Sequence, residues 1–221
     1  RAKIKEKDLD LIVAGDLLNQ IISATFASRN FNTGYLGVYN ACASFTESLI
    51  IGSTFIDGGY LNKVLCGTSS HFSTAERQFR YPLELGNQKP MTAQWTVTGA
   101  GCVVISQYGE NPKIKYVTIG KVIDKGIKDG NNMGAAMAPA ALDTIITHLK
   151  DTNRKPSYYD AIITGDLGHI GKEIVIELAE KQGYNLKSNY NDCGVLIFDK
   201  ESQDTHSGGS GCACCGTVFS G

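Results

Sequence analysis

A short strand motif occurs twice in this chain, and that repetition limits the fold more than any other feature. Leu11-Ile12-Val13-Ala14-Gly15-Asp16-Leu17 returns as Ala161-Ile162-Ile163-Thr164-Gly165-Asp166-Leu167, 150 residues downstream. Each copy is an apolar run that ends in Gly-Asp-Leu and hands over to a helical pattern. Runs of this kind, without clean alternation, suit strands covered on both faces. A second pair of segments follows the same logic. Asn40-Ala41-Cys42-Ala43-Ser44 and Gly211-Cys212-Ala213-Cys214-Cys215 are small-residue, cysteine-bearing stretches, each just before a helix-like stretch. Two related halves pack more naturally together than as beads, because each half-sheet needs its other face covered. The expectation is an α/β fold of two duplicated halves, 1–135 and 136–221. On this reading a strand-helix pair ahead of Leu9 is missing, and the second half is cut off after the cysteine segment. The chain therefore reads as part of a longer protein.

Hydrophobic periodicity fills in the elements between the repeats. Strands are expected at 9–14, 35–39, 63–68, 102–106, 114–121, 160–164 and 194–198. A helix after Ser44 places Phe45, Leu49, Gly52 and Phe55 or Ile56 at helical spacing. Its opposite face is little more polar, the pattern of a helix buried all round. A further helix is expected from about Pro139, a residue suited to a first turn, with Leu142, Ile145, Ile146 and Leu149 as its stripe. Another follows His169, with Ile170, Ile174, Leu178 and Ala179 inward and Gly183 as the stop. Residues 70–95 read as a long polar loop, and such loops are more often functional than idle.

Composition excludes several function classes. Of 221 residues, 42% are apolar and 19% charged, as in a compact globular protein. The net charge of −1 gives no global field for nucleic acid. No apolar run is long enough to span a membrane, and Arg1–Lys5 leads into no signal-peptide core. Seven cysteines, an odd number without a secretion signal, read as thiols rather than a disulfide framework. The cluster at Cys212, Cys214 and Cys215 lacks the paired ligands of a zinc site, so no metal is expected.

The sharpest chemical feature is Cys42, at a strand-to-helix turn among small neighbours. A thiol at a helix start is biased toward thiolate, and small flanking residues let a ligand approach. That is a nucleophile elbow in physical terms. A buried, inert cysteine fits the same spacing. His148, off the stripe of its helix, reads as a solvated residue, and His206 as idle in a polar loop.

A duplicated α/β chain with a cysteine elbow resembles the thiolase and β-ketoacyl synthase superfamily. The resemblance implies a five-layered αβαβα sandwich of two similar halves. Thr98-Gly99-Ala100-Gly101-Cys102-Val103-Val104-Ile105 resembles the Gly-Ala-Gly strand of synthases. A closer resemblance, from near residue 9 to near 217, is to the stage V sporulation protein AD family of spore-forming bacteria. It is carried by Ala14-Gly15-Asp16-Leu17-Leu18-Asn19-Gln20, Glu76-Arg77-Gln78-Phe79-Arg80-Tyr81-Pro82, Met137-Ala138-Pro139 and Gly208-Gly209-Ser210-Gly211-Cys212. That family implies a role in moving dipicolinic acid, with calcium, into the developing spore. By the same resemblance the chain would be a homodimer and a peripheral partner of membrane proteins at the forespore or spore inner membrane.

The resemblance also argues against condensation chemistry. Synthases place a histidine where this chain has Gly165-Asp166 and an asparagine near Gly209-Ser210. Those groups hold the thioester oxyanion, and an aspartate there would repel it. His169 is nearby but a few residues into the helix. The reading is a kept pocket with a lost reaction, so no enzyme is expected. The alternatives are an active acyltransferase using Cys42 and a purely structural subunit. Dipicolinate is flat, aromatic and doubly negative, so it asks for cations or N–H donors and an apolar slot. The candidate ligand-binding residues are Cys42, His71, Arg77, Arg80, Asp166 and His169, with Lys89 as further charge. Arg77 and Arg80 fit equally as ion pairs with Glu76 or Glu84. Calcium, carried with the ligand, would be held partly by the ligand's own oxygens.

Overall fold

A computed structural model describes residues 4–110 and 112–220, the side chains of Cys215, Phe219 and Ser220 excepted. Part of the Arg1–Lys5 stretch therefore lies outside the described residues, as does the third thiol of the cysteine cluster. The strands are β1 (Leu11–Asp16), β2 (Gly34–Val38), β3 (Lys63–Ser70), β4 (Gly99–Ser106), β5 (Ile162–Thr164) and β6 (Tyr190–Asp192). The helices are α1 (Ile22–Ser28), α2 (Ser44–Asp57), α3 (Phe72–Phe79), α4 (Met133–Asp151), α5 (Gly168–Lys181), α6 (Cys193–Leu196) and α7 (Cys214–Ser220). They fall into two compact units that interleave along the sequence. The first comprises Arg1–Gln78, Val97–Val117 and Gly211–Gly221, and the second Phe79–Thr96 and Thr118–Ser210.

In the first unit the sheet order is β2-β1-β3-β4, with β1 parallel to both neighbours and β4 antiparallel to β3. Alternation explains why β1 is apolar from Leu11 to Ala14. Ile12 and Ala14 pack with Ala24 of α1 on one face. Val13 packs with Val38, Ile56, Val64 and Cys66 on the face that α2 covers. Val13 and Val64 are fully buried, each stabilising by about 2 kcal/mol. Gly52 of α2 lets that helix come close: a Cβ there would lie 2.9 Å from Cys66 Sγ and 2.8 Å from Ile105 Cδ1.

The second unit pairs β5 with β6 in parallel. Its core joins Ala138, Leu142 and Ile146 of α4 to Val175 and Ala179 of α5, closed by Leu167, Leu186 and Tyr190. Here four expectations are corrected. The helix starts at Met133 rather than near Pro139, because Asn132 caps it by accepting from the Ala135 amide at 3.3 Å. Pro139 then sits inside the helix and removes one backbone bond. Residues 114–121 form no strand, since their apolar alternation meets no neighbouring strand among the described residues. Instead Thr118 bonds His148 Nδ1 at 2.8 Å and Lys121 pairs with Asp143 at 3.3 Å, which lays residues 118–121 along α4. His148 also reaches the Tyr159 hydroxyl at 2.7 Å, so it is a bridge and not a solvated residue. Residues 194–198 begin as α6, where the Asp192 carboxylate caps the Gly194 amide at 2.9 Å.

A fifth correction concerns 70–95, where α3 forms. The His71 carbonyl accepts from the Ala75 amide and the Thr74 hydroxyl, both at 3.0 Å. Those bonds start a helix in a segment whose buried residues, Ala75 and Glu76, carry little apolar signal.

Candidate functional site

In the first unit the chain leaves β2 and turns through Ala41–Ala43 into α2. Ala41 takes a left-handed backbone (φ 43°), a conformation that costs a residue with a Cβ about 1–2 kcal/mol. The turn is held by Ser44, whose hydroxyl accepts from the Asn40 amide at 3.0 Å and donates to the Ala41 carbonyl at 2.8 Å. Cys42 is half-buried in this strained elbow, two residues ahead of the helix. The buried Cys66 differs. Burial pushes its thiol up to about 12, although a bond to Ser48 opposes the rise, and it stays protonated. His71 is exposed, with Nδ1 3.1 Å from the Ser73 hydroxyl, and Arg77 is exposed on α3.

The end of β3 engages the second cysteine segment. The Cys212 amide donates to Ser70 Oγ at 2.8 Å, and its thiol lies 2.9 Å from the Ser69 carbonyl. Thr68 donates to the Cys212 carbonyl at 2.5 Å. Cys212 is fully buried and serves as a strand-end clasp. Ser69 also donates to Asp16, whose other oxygen accepts from the Ala24 amide at 3.1 Å.

In the second unit the Gly-Asp-Leu turn follows β5. Asp166 is buried, and its Oδ1 accepts from the Ser210 amide at 2.7 Å. The Ser210 hydroxyl donates to the Gly165 carbonyl, and Gln94 donates to the Asp166 carbonyl. Asp166 and Ser210 thus lie together, bonded to each other. Gly168 comes next at φ 69°, and a Cβ on it would fall 2.2 Å from the Ser207 carbonyl. No residue but glycine fits that turn.

Asp192 holds the turn from below, and the sequence reading did not single it out. It is fully buried and accepts from Thr164 (2.6 Å), Leu167 N (3.0 Å), Gly168 N (2.8 Å) and Gly194 N (2.9 Å). Burial raises its carboxyl above the usual range, and these four bonds pull the other way. An Asp at the end of a strand and two residues before Gly194 is a capping signal that was legible.

Of the six candidate ligand residues, Cys42, His71 and Arg77 belong to the first unit and Arg80, Asp166 and His169 to the second. Asp166 and His169 flank the same Gly168 turn, and the His169 amide donates to the Ser207 carbonyl at 2.7 Å. Burial, then Lys200 and Lys172, holds the His169 imidazole below its ordinary pKa. Arg80 is partly buried, donating to Thr96 at 2.8 Å and lying 3.5 Å from Met133 Sδ. Lys89 sits over the Trp95 ring at 4.6 Å. That ring and the His206 ring pack edge to face with centroids 5.6 Å apart, so His206 is a packing residue and not idle. A recess of 290 Å³ lies at the end of α5, lined by Ile176, Glu180, Tyr184 and Lys187 among others, and none of the six candidates lines it. Among the described residues no group of three or more His, Cys, Asp or Glu can hold a metal ion, and no helix is long and apolar enough to cross a membrane.

Solved structures place the chain in a fold. It is similar to OleA H285N of Xanthomonas campestris, with TM-score 0.69 at 13% identity, over 99% of this chain and 68% of that one. It is also similar to 3-oxoacyl-[acyl-carrier-protein] synthase III of Aquifex aeolicus VF5, with TM-score 0.59 at 16% identity, over 97% and 68%. At these identities the likeness shows the thiolase-like α/β fold alone. Stage V sporulation protein AD of Bacillus subtilis (strain 168) is 47% identical over 215 residues, covering 97% of this chain. The chain spans 63% of that relative's length. The family model for stage V sporulation protein AD matches residues 1–221, and the chain belongs to that family.

Proposed function

We propose that this is a non-catalytic, thiolase-like sporulation protein that binds dipicolinic acid, alone or with calcium as cargo, for uptake into the developing spore through a membrane complex. One observation carries the loss of catalysis. The resemblance sets Asp166 and Ser210 at the positions where a synthase needs groups aimed at a thioester oxyanion, and here they are buried and bonded to each other. A carboxylate so placed opposes a developing negative charge rather than holding it. Family membership supports the sporulation role. The cationic and N–H-donating groups of the first unit, Arg77, His71 and the turn at Cys42, suit a flat dianion. The protein acts as a homodimer, peripheral to the spore inner membrane and to the membrane proteins of the complex.

Calorimetric titration of the full-length protein with dipicolinate, with and without calcium, tests this. Saturable binding that weakens in Cys42→Ala and Arg77→Ala is expected. Absence of heat and of thermal stabilisation in both conditions would move the reading to a structural subunit. The strained elbow at Ala41 favours a second reading, acyl transfer through Cys42. Transfer from a coenzyme A thioester, abolished in Cys42→Ala, would establish it.

A further inference from the structure

The three parallel strands of the first unit, β2, β1 and β3, end on the same side of their sheet. β1 reaches β2 through α1, which covers the face of Ile12 and Ala14, and β2 reaches β3 through α2, which covers the face of Val13. In open parallel sheets, connections that leave toward opposite faces open a ligand crevice outside the carboxyl ends of the strands. Residues 17–20 follow β1, residues 39–43 follow β2 and His71 follows β3. Residues 17–20 and 39–43 include no acidic side chain to repel an anion. Two hydrogen bonds tie these strand ends together. Gln78 Nε2 donates to the Tyr39 hydroxyl at 3.1 Å, and Gln78 Oε1 accepts from the Asn19 amide at 3.4 Å. Gln78 follows Arg77 on α3, and Tyr39 lies three residues before Cys42. The first bond therefore brings the helix of Arg77 to the strand end that leads into Cys42. Tyr39 is 40% exposed, and no other ring or cation pairs with it among the described residues. An exposed tyrosine pinned at its hydroxyl is a preorganised aromatic surface, because its ring is ordered before a ligand arrives.

We propose that the Tyr39 ring is the stacking platform for the aromatic ring of the bound dicarboxylate, with Gln78 as its positioning residue. This rests on the dipicolinate reading above. Cations and N–H donors recognise the two carboxylates of any such acid, whereas a flat face recognises a flat ring. Offset stacking is open to an aromatic ring and closed to a puckered, saturated one. The site therefore selects an aromatic dicarboxylate over a saturated acid with the same pair of charges.

Calorimetric titration of the full-length protein with dipicolinate, and with the saturated cis-cyclohexane-1,3-dicarboxylate, reads this selectivity. Tyr39→Leu should lose roughly threefold to tenfold in dipicolinate affinity. Tyr39→Phe keeps the ring without its tether, and Gln78→Ala removes the tether alone. Each should fall between wild type and Tyr39→Leu, and combining the two should weaken binding no further than either does. The saturated acid should bind more weakly than dipicolinate and show no dependence on Tyr39. Dipicolinate affinity unchanged in Tyr39→Leu overturns the proposal and leaves the dipicolinate reading standing. So does a Tyr39→Phe variant no better than Tyr39→Leu, or an equal loss for the saturated acid. No binding of dipicolinate by wild type overturns both.

Discussion

The two Gly-Asp-Leu turns share a sequence and differ in what they fasten. Gly15-Asp16-Leu17 ends a six-residue strand flanked on both sides, whereas Gly165-Asp166-Leu167 follows a three-residue strand with one neighbour. Asp16 and Asp166 are each 3% exposed. In the first unit both carboxylate oxygens go to adjacent elements, the end of β3 and the start of α1. In the second, Asp166 reaches an amide 44 residues downstream, and a further carboxylate, Asp192, holds the turn itself. The same local signal thus yields a sheet-borne clamp where the sheet is broad and a loop-borne clamp where it is narrow. A short strand leaves its turn fewer ladder bonds, and side chains from elsewhere supply the acceptors.

The largest effect should come from Asp192. Asp192→Ala leaves three buried amides and the Thr164 hydroxyl without this acceptor, and denaturant unfolding should show a loss of about 4 kcal/mol. A loss below about 1 kcal/mol would mean that the turn holds itself and the contrast between the units is wrong. The two aspartates of the repeat sharpen the comparison next. Asp16→Ala should cost about 3 kcal/mol and Asp166→Ala about 2 kcal/mol, because the first strips acceptors from two elements. The reverse order would place the stronger clamp in the loop. The smallest effect should come from His169. Its folded pKa lies below the ordinary value of about 6.5, so the unfolded chain binds the proton first as pH falls. Stability should decline below about pH 6.5 and level off beneath the folded pKa, and His169→Gln should flatten that slope in thermal scans. A slope unchanged in the variant would assign it to another group.

Much of the fold was legible because burial on two faces writes long apolar runs. β1, β3 and the body of α2 follow from Ile12-Val13, Val64-Leu65-Cys66 and Phe45 to Ile56. What misled was a signal shared by two structures. Val195-Leu196-Ile197-Phe198 is as apolar as a strand, and only the Asp192 cap marks it as the start of a helix. Pro139 signals a first turn by its own preference, while Asn132 and the small residues Gly134, Ala135 and Ala136 have already begun α4. In the candidate site, Cys42 and Asp166 stood out as single residues. Asp192 did not, because its importance lies in the partners it holds, and those come from elements far apart in sequence.

The bond from the Cys212 amide to Ser70 spans 142 residues. The segment that closes the first unit is made after the whole of the second, so a nascent chain carries the β3 hydroxyls without their partner until synthesis has passed residue 212. Closing so long a loop is slow relative to local structure. The first unit begins to form before the second and is closed after it, and through that interval a chaperone or protease would find its unclasped sheet end.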